Sequence, residues 1–437
     1  MENERSQQAL DAWQDFLATA LDAVLSRHRH TDPQQAALDL FHTVAATVPA
    51  YAQFLAENGI DPGTIQSVDD FARIPPINKK NYQSRFPLAQ LCRDGTLEGC
   101  DFIAVSSGST GKPTFWPRTI ADELQITRRF EQIFHDSFRA DERRTLAVVC
   151  FTLGTWVGGM FTASCCRYLA SKGYPITVIT PGNNKEEIYR VVTELGPAFE
   201  QVVLLGYPPF LKDVIDGGIA RGIDWAPLHV KFVMAGEVFS EEWRSLVGER
   251  AGSPDALCSS ASLYGTADAG VLANETPLSI CIRRWLAATP EAARALFGES
   301  RLPTLAQYDP LSRFFEKDGT SLLFSGENGA PLVRYNILDT GGVVPFAEMM
   351  AFLAEQGFDP RAELLAHGGR GMRELPFVFV FGRSDFTVSY FGANIYPENV
   401  TVGLEQPDIR EWVTGKFVLE SREDADRNRF LAIAVEL

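Results

Sequence analysis

Positive charge is scarce in this chain: 40 lysines and arginines face 56 aspartates and glutamates, a formal charge of −16. So acidic a protein lacks the basic face that nucleic acid or an anionic membrane surface demands, and neither is expected as a partner. If the ligand is an anion, its basic contacts must be gathered locally. Metal-ligand patterns are missing too. The seven cysteines (92, 100, 150, 165, 166, 258 and 281) form no Cys-x-x-Cys and have no histidines at zinc-ligand intervals, which argues against a structural metal and fits a reduced cytoplasm. His28 and His30 sit two apart among arginines with no acid cluster, and read as surface residues. The start, Met-Glu-Asn-Glu-Arg-Ser, is polar and no apolar h-region follows, so no signal peptide is expected. No Gly-x-Gly-x-x-Gly follows an apolar run, which weighs against a nicotinamide oxidoreductase. Charge is absent altogether from Thr145 to Cys166, which raises the question of a membrane span. Gly154, Gly158, Gly159 and four threonines in that run suit a buried strand-turn-helix better.

At 437 residues and 45% hydrophobic, the chain is long and apolar enough for two or more domains with a substantial core. Amphipathic spacing predicts a helix over 6–28 (Leu10, Trp13, Leu17, Leu21, Val24) and another after Pro33 through Leu40, Phe41, Val44 and Val48. Asp101–Val105 reads as a strand feeding Val105-Ser-Ser-Gly-Ser-Thr-Gly-Lys-Pro-Thr114. In that stretch Gly108 and Gly111 let backbone N–H groups approach an anion, Ser106, Ser107, Ser109 and Thr110 add neutral donors, and Lys112 adds a point charge. It is not a nucleotide-hydrolase loop, because Ser106 stands where that pattern needs glycine and Pro113 where it needs a hydroxyl. A helix follows through Ile126, Phe130, Phe134 and Phe138. Apolar runs at 176–180, 202–205 and 230–234 then alternate with helices beginning near Lys185, Pro209 and Glu241, the rhythm of an α/β sheet. Further helical patches cover 289–296 and 346–365, and strand-like runs 321–325, 377–381, 416–419 and 430–437.

Taken together these pieces resemble the adenylate-forming superfamily of acyl-CoA ligases, luciferases and peptide-synthetase adenylation domains, most closely its phenylacetate-CoA ligase branch. The phosphate loop at 105–114 is one matching motif, and Leu263-Tyr-Gly-Thr-Ala-Asp268 is similar to the family's Tyr-Gly-x-[Ser/Thr]-Glu. Arg334-Tyr335 with Asp339, Gly382-Arg-Ser-Asp385, and Gly392-Ala-Asn394 with Pro397 complete five motifs in order. Trp156-Val-Gly-Gly159 and Ala235-Gly236-Glu237 fall where this branch has its acyl-pocket glycines and its Gly-Glu before the adenine.

The resemblance implies an α/β fold: a large, multi-subdomain adenylation domain over 1–382 with β-sheets flanked by helices, and a short, incomplete α+β C-terminal domain over 386–437 after a hinge at Asp385. It also implies an ATP-dependent, AMP-forming ligase, in which Lys112 and the rest of the loop orient the phosphates and Asp268 holds Mg²⁺. Tyr264, in Tyr264-Gly265-Thr266, would pack on adenine, Asp339 would accept the ribose hydroxyls and Arg383 would steady the ribose. The acid would lie against Trp156, Gly158, Gly159, Phe161, Tyr207 and Phe239, a set that suits a flat aromatic carboxylic acid. Its acyl group would pass to a thiol or amine acceptor: CoA, a carrier protein or an amino acid. The helical patches at 286–300 and 346–367 depart from the plain ligase outline and point to natural-product tailoring, such as that of a phenazine antibiotic.

Three departures stand beside the resemblance. Asp268 replaces glutamate and shortens the reach to a metal by one methylene, and Ala267 removes a hydroxyl. The family's catalytic lysine, near the end of a C-terminal domain of about a hundred residues, has no counterpart; Lys416, in Thr-Gly-Lys-Phe, is a look-alike lying too early and in a strand-like run. A relative that binds nucleotide or acid without turnover is therefore a second reading.

Overall fold

The computed structural model of the chain describes residues 2–106, 114–155, 157–299, 301–366, 370–383, 388–390, 393–395, 397–423 and 429–437. The N-terminal region is helical, with one correction to the expected pattern. The 6–28 stripe is two helices, α1 (Glu2–Ala18) and α2 (Leu21–Ser26), because Ala20 is extended at φ −63° and ψ 148° and interrupts the run. Phe16, Leu21 and Val24 are buried while Leu10 and Leu17 stay exposed. The Asp32 carboxylate caps α3 (Pro33–Thr47), and α4 (Pro49–Glu57) follows directly. A hairpin of β1 (Phe102–Val105) and β2 (Phe115–Arg118) then brackets the glycine-rich stretch.

Next come α5 (Ile120–Gln132), β3 (Thr145–Val149), α6 (Val157–Ser171), β4 (Ile176–Ile179), α7 (Lys185–Glu194), β5 (Gln201–Gly206), α8 (Pro208–Ala220), β6 (Lys231–Ala235), α9 (Glu241–Arg250) and β7 (Ser260–Thr266). The uncharged run is thus a fully buried strand and the helix after it, and among the described residues no helix is long and apolar enough to cross a membrane. The chain continues through β8 (Gly270–Asn274), α10 (Pro277–Ala288), α11 (Pro290–Phe297), β9 (Thr304–Gln307), β10 (Phe314–Asp318), β11 (Ser321–Gly326), β12 (Leu332–Val344), α12 (Phe346–Glu355), α13 (Pro360–Ala366) and β13 (Phe377–Arg383).

Among the described residues, β3 to β13 form one sheet in the order β10-β11-β12-β13-β9-β8-β7-β6-β5-β3-β4. Its β4-β3-β5-β6-β7 part is parallel and covered by helices, which is why those strands read as apolar runs rather than as alternation. The other part is antiparallel, and its register sets Asp339 of β12 opposite Arg383 of β13. Ligands of such sheets lie beyond the carboxyl ends of the parallel strands, here at Gly236-Glu237 after β6 and at the end of β7.

Behind that crevice Glu241 is buried with three guanidinium groups. It binds Arg244 at 2.9 Å, Arg284 at 3.4 Å and Arg283, and Arg283 also donates to the Phe239 carbonyl at 2.8 Å. Burial pushes the Glu241 carboxyl up, but Arg244 and Arg283 outweigh it and hold it below its usual range.

The remaining elements are β14 (Val388–Tyr390), β15 (Ala393–Ile395), α14 (Pro397–Leu404), β16 (Phe417–Glu423) and β17 (Arg429–Val435), with β14-β15 and β16-β17 as two small sheets. This segment rests on the large sheet's helices: Lys212 donates to the Val413 carbonyl at 3.3 Å, the Ser240 N–H to Glu405 at 3.4 Å, and Arg250 pairs with Glu411. Asp385, expected as a hinge, and Gly392 lie outside the described residues.

Candidate active site

A cavity of about 440 Å³ opens at the carboxyl end of β6 and β7 and is closed on the far side by β12 and β13. At one end Tyr264 and Asp339 meet on its wall, the phenol donating to the carboxylate at 2.6 Å. Burial, then the Asp339 charge, holds the Tyr264 phenol well above its usual range, so it stays a donor at any physiological pH. Arg383, Val380 and Ile337 complete this end. Leu338 turns β12 with a left-handed φ of 69°, a conformation that non-glycine residues hold mainly where surrounding structure enforces it.

At the other end stands Asp268. Its Oδ1 lies 3.2 Å from the Lys79 ammonium and its Oδ2 accepts the Tyr335 hydroxyl at 2.6 Å. Asp268 is buried, and Lys79 also lies 5.8 Å from the centre of the Trp116 ring. Lys79 is brought here in three steps. Asn78 and Asn81 cap each other's backbone and fix the turn that carries Lys79. Ile77 exchanges backbone hydrogen bonds with β12 at Arg334 and Asn336, at 3.1 and 2.8 Å. Finally Arg334, whose backbone is left-handed at φ 51°, grips with its guanidinium the Phe71 carbonyl at 2.5 Å and that of Ile74. Arg334 of the Arg-Tyr motif therefore acts as an anchor, and Tyr335 as a partner of Asp268.

The glycine-rich stretch begins and ends at this cavity. The Ser106 N–H donates to the Thr114 carbonyl at 3.0 Å and the Thr114 N–H to the Ser106 hydroxyl at 3.1 Å, with Ser106 on the cavity wall. Ser107, Gly108, Ser109, Thr110, Gly111 and Lys112 lie outside the described residues, as does Trp156.

Most of the expected nucleotide-side positions, namely Gly236, Glu237, Tyr264, Gly265, Thr266, Asp268, Asp339 and Arg383, come together around the one cavity. The expected acid-pocket positions lie apart from this cavity. Phe161 is buried in the core beside Ile126, and Phe239 packs on Trp243 with ring centres 4.9 Å apart, so neither lines the cavity. Gly159 serves close packing in the first turn of α6, where a Cβ would lie 2.4 Å from the Thr152 carbonyl oxygen, whereas a Cβ on Gly158 would meet the Phe151 ring at an ordinary 3.6 Å. Tyr207 donates its hydroxyl to Glu237, whose carboxyl burial lifts above its usual range. Lys79 was missed in sequence, although Asn78 ahead of two lysines is a legible cap. Asp268 was expected to be a metal ligand, yet both of its oxygens are engaged, and among the described residues no group of three His, Cys, Asp or Glu could hold a metal.

Lys416 is remote from these residues in role. It pairs with Glu436 at 2.8 Å on an exposed surface and does not line the cavity. Lys416→Ala is expected to leave nucleotide binding and any turnover within a few-fold of the parent, and stability within about 1 kcal/mol, as for other exposed ion pairs; a hundredfold loss of turnover would return Lys416 to the site.

The fold is shared with solved acyl-CoA ligase structures. It matches 2-hydroxyisobutyryl-CoA ligase in the postadenylation state with a TM-score of 0.66 and 14% sequence identity, over 95% of this chain and 78% of that one. It matches the open conformation of that enzyme, solved with 2-HIB-AMP and CoA, with a TM-score of 0.62 at 14% identity, over 92% and 83%. In sequence the chain is similar to phenylacetate-coenzyme A ligase of Aromatoleum evansii, 23% identical over 364 residues covering 81% of this chain and 70% of that enzyme. It is 24% identical over 223 residues to the Thermus thermophilus phenylacetate-coenzyme A ligase, spanning 51% of this chain and less than half, 46%, of that enzyme. No family model matches the chain. Fold and relatives agree with the resemblance read from the motifs.

Proposed function

We propose that this protein activates a carboxylic acid with ATP, forming an acyl-adenylate and pyrophosphate, and then hands the acyl group to a thiol such as that of CoA. The observation that carries the reading is the cavity itself. It sets a hydroxyl-seeking pair, Tyr264 and Asp339, at one end and a cation held by a carboxylate, Lys79 and Asp268, at the other, beside the ends of the 106–114 stretch. A nucleoside would lie at the first end with its ribose hydroxyls donating to Asp339, and the phosphates at the second. An oxygen of the acid attacks the α-phosphorus, the bond to the β-phosphate oxygen breaks, and pyrophosphate leaves. Both reactants are anions, so the protein's task is to align them and offset charge, which the Lys79 ammonium does in a partly dry site. Magnesium would arrive with the nucleotide as part of the substrate, held chiefly by phosphate oxygens, and Asp268 would join it only by giving up its contact with Lys79 or with Tyr335.

The relatives named for phenylacetate support an aryl acid as the first class to test, and a phenazine-type acid belongs in the same panel. Acid-dependent exchange of pyrophosphate into ATP tests the reading, and its absence with every acid in a broad panel would leave a nucleotide-binding protein without turnover. Asp339→Ala is expected to weaken AMP and ATP about tenfold or more, because ribose hydroxyls lose a charged acceptor, while inorganic pyrophosphate binds as before. Calorimetry with the three ligands checks this; equal weakening of all of them would show Asp339 acting through the fold.

A further inference from the structure

Two arginines outside the cavity carry a cost that the fold alone leaves unexplained. Arg118, at the end of β2, and Arg313, just before β10, are almost wholly buried, and among the described residues neither has a carboxylate within ion-pair distance. The Nε of each is buried without a hydrogen-bond partner. A charge buried in this way is expensive, and a methionine of similar length would fill the space without that penalty. Burial lowers the Arg313 guanidinium to about 10, so it stays charged at neutral pH, and the nearby Asp122 charge favours both cations.

One terminal nitrogen of each converges on one short peptide. Arg118 Nη2 donates to the Ala267 carbonyl at 2.6 Å, and Arg313 Nη2 donates to the Ala269 carbonyl at 3.1 Å. The residue between those carbonyls is Asp268. Arg118 Nη1 also holds the Pro117 carbonyl at 3.1 Å, three residues from the end of the glycine-rich stretch at Thr114. Arg313 Nη1 holds the Ser312 carbonyl at 2.7 Å and reaches that of Glu327 at 3.4 Å, in the turn that packs on β2.

We infer that Arg118 and Arg313 are positioning residues, a pair of guanidinium clamps that fix the Asp268 peptide from both sides and tie it to β2, so that Asp268 and its Lys79 partner are held where the phosphates of a nucleotide would lie. This rests on the nucleotide reading above. Neither arginine touches the nucleoside end, where Tyr264 and Asp339 belong to β7 and β12.

Calorimetry with ATP, pyrophosphate and AMP on the parent, R118M and R313M separates this role from a general one. R118M is expected to weaken ATP and pyrophosphate at least about tenfold, the loss typical of a charged buried hydrogen bond, with AMP within about twofold and the KM for the acid unchanged. R313M follows the same pattern to a smaller extent, and R118K, which keeps the charge and one donor, recovers part of the loss. Equal weakening of ATP and AMP would mean the arginines only support the fold, and unchanged ATP and pyrophosphate affinity would equally overturn the inference. If R118M does not fold, as judged by thermal unfolding, R118K and R313K carry the same comparison. A parent that binds none of the three ligands would instead overturn the nucleotide reading, and this inference with it.

Discussion

Lys79→Ala is expected to slow acid-dependent pyrophosphate exchange by about two orders of magnitude while leaving AMP affinity intact. Lys79 is the cation paired with a carboxylate whose side chain is 4% exposed, and the variant leaves that carboxylate with the Tyr335 hydroxyl alone. Stripping one partner from a buried pair typically costs 3–5 kcal/mol. Water reaches Lys79, whose side chain is 33% exposed, so the stability loss lies at or below the lower end, and the slower exchange comes instead from losing a charge that steadies the transferring phosphoryl group, about 3 kcal/mol or somewhat over a hundredfold in rate. The uncompensated Asp268 charge would then repel the phosphates it faces. Asp268→Asn in the Lys79→Ala background removes that charge and is expected to recover part of the rate. A change below about fivefold in Lys79→Ala would place the chemistry elsewhere.

The second large effect is on stability. Glu241→Ala leaves Arg244 and Arg283 buried, Arg283 without a carboxylate partner among the described residues and Arg244 with Glu275 at 2.7 Å. The expected loss is about 3–5 kcal/mol, read as a fall in the urea midpoint with an unchanged slope. The pH dependence has a definite sign. A carboxylate whose folded pKa is depressed contributes stability that is fully present above its unfolded value and is lost as pH falls through the folded value. For Glu241 that window lies below about pH 4.3. The parent should therefore lose stability on acidification through this window, and the variant should lose less. A variant within 1 kcal/mol of the parent at neutral pH would show that the pocket behind Phe239 repacks freely.

Much of the fold was readable because its central strands are buried on both faces. Runs such as Val202–Leu205 carry no polar residue to obscure them, and the helices between them start at capped or proline-led positions such as Asn184 and Pro208. Tyr264, Asp339 and Arg383 were readable as members of spaced motifs. Phe161 and Phe239 could not be placed from sequence for a physical reason: an aromatic side chain on a helix or after a strand looks the same in sequence whether it faces a cavity or the core. Arg118 reads as the polar end of a strand, and nothing local announces that it points inward to the Ala267 carbonyl. Lys79 was hidden because its role depends on where distant β12 lies. The break at Ala20 was hidden because alanine favours a helix by propensity, and tertiary packing overrode it.

The grip of Arg334 on the Phe71 carbonyl joins residues 263 apart in the chain. During synthesis, that contact cannot form until β12 has left the ribosome, at about 5–20 residues per second some tens of seconds after Lys79. Until then the lysine has no carboxylate beside it and the cavity has no far wall. The nascent chain is therefore expected to gain nucleotide affinity late and abruptly, rather than helix by helix, and a ribosome-bound fragment ending before β12 should hold none.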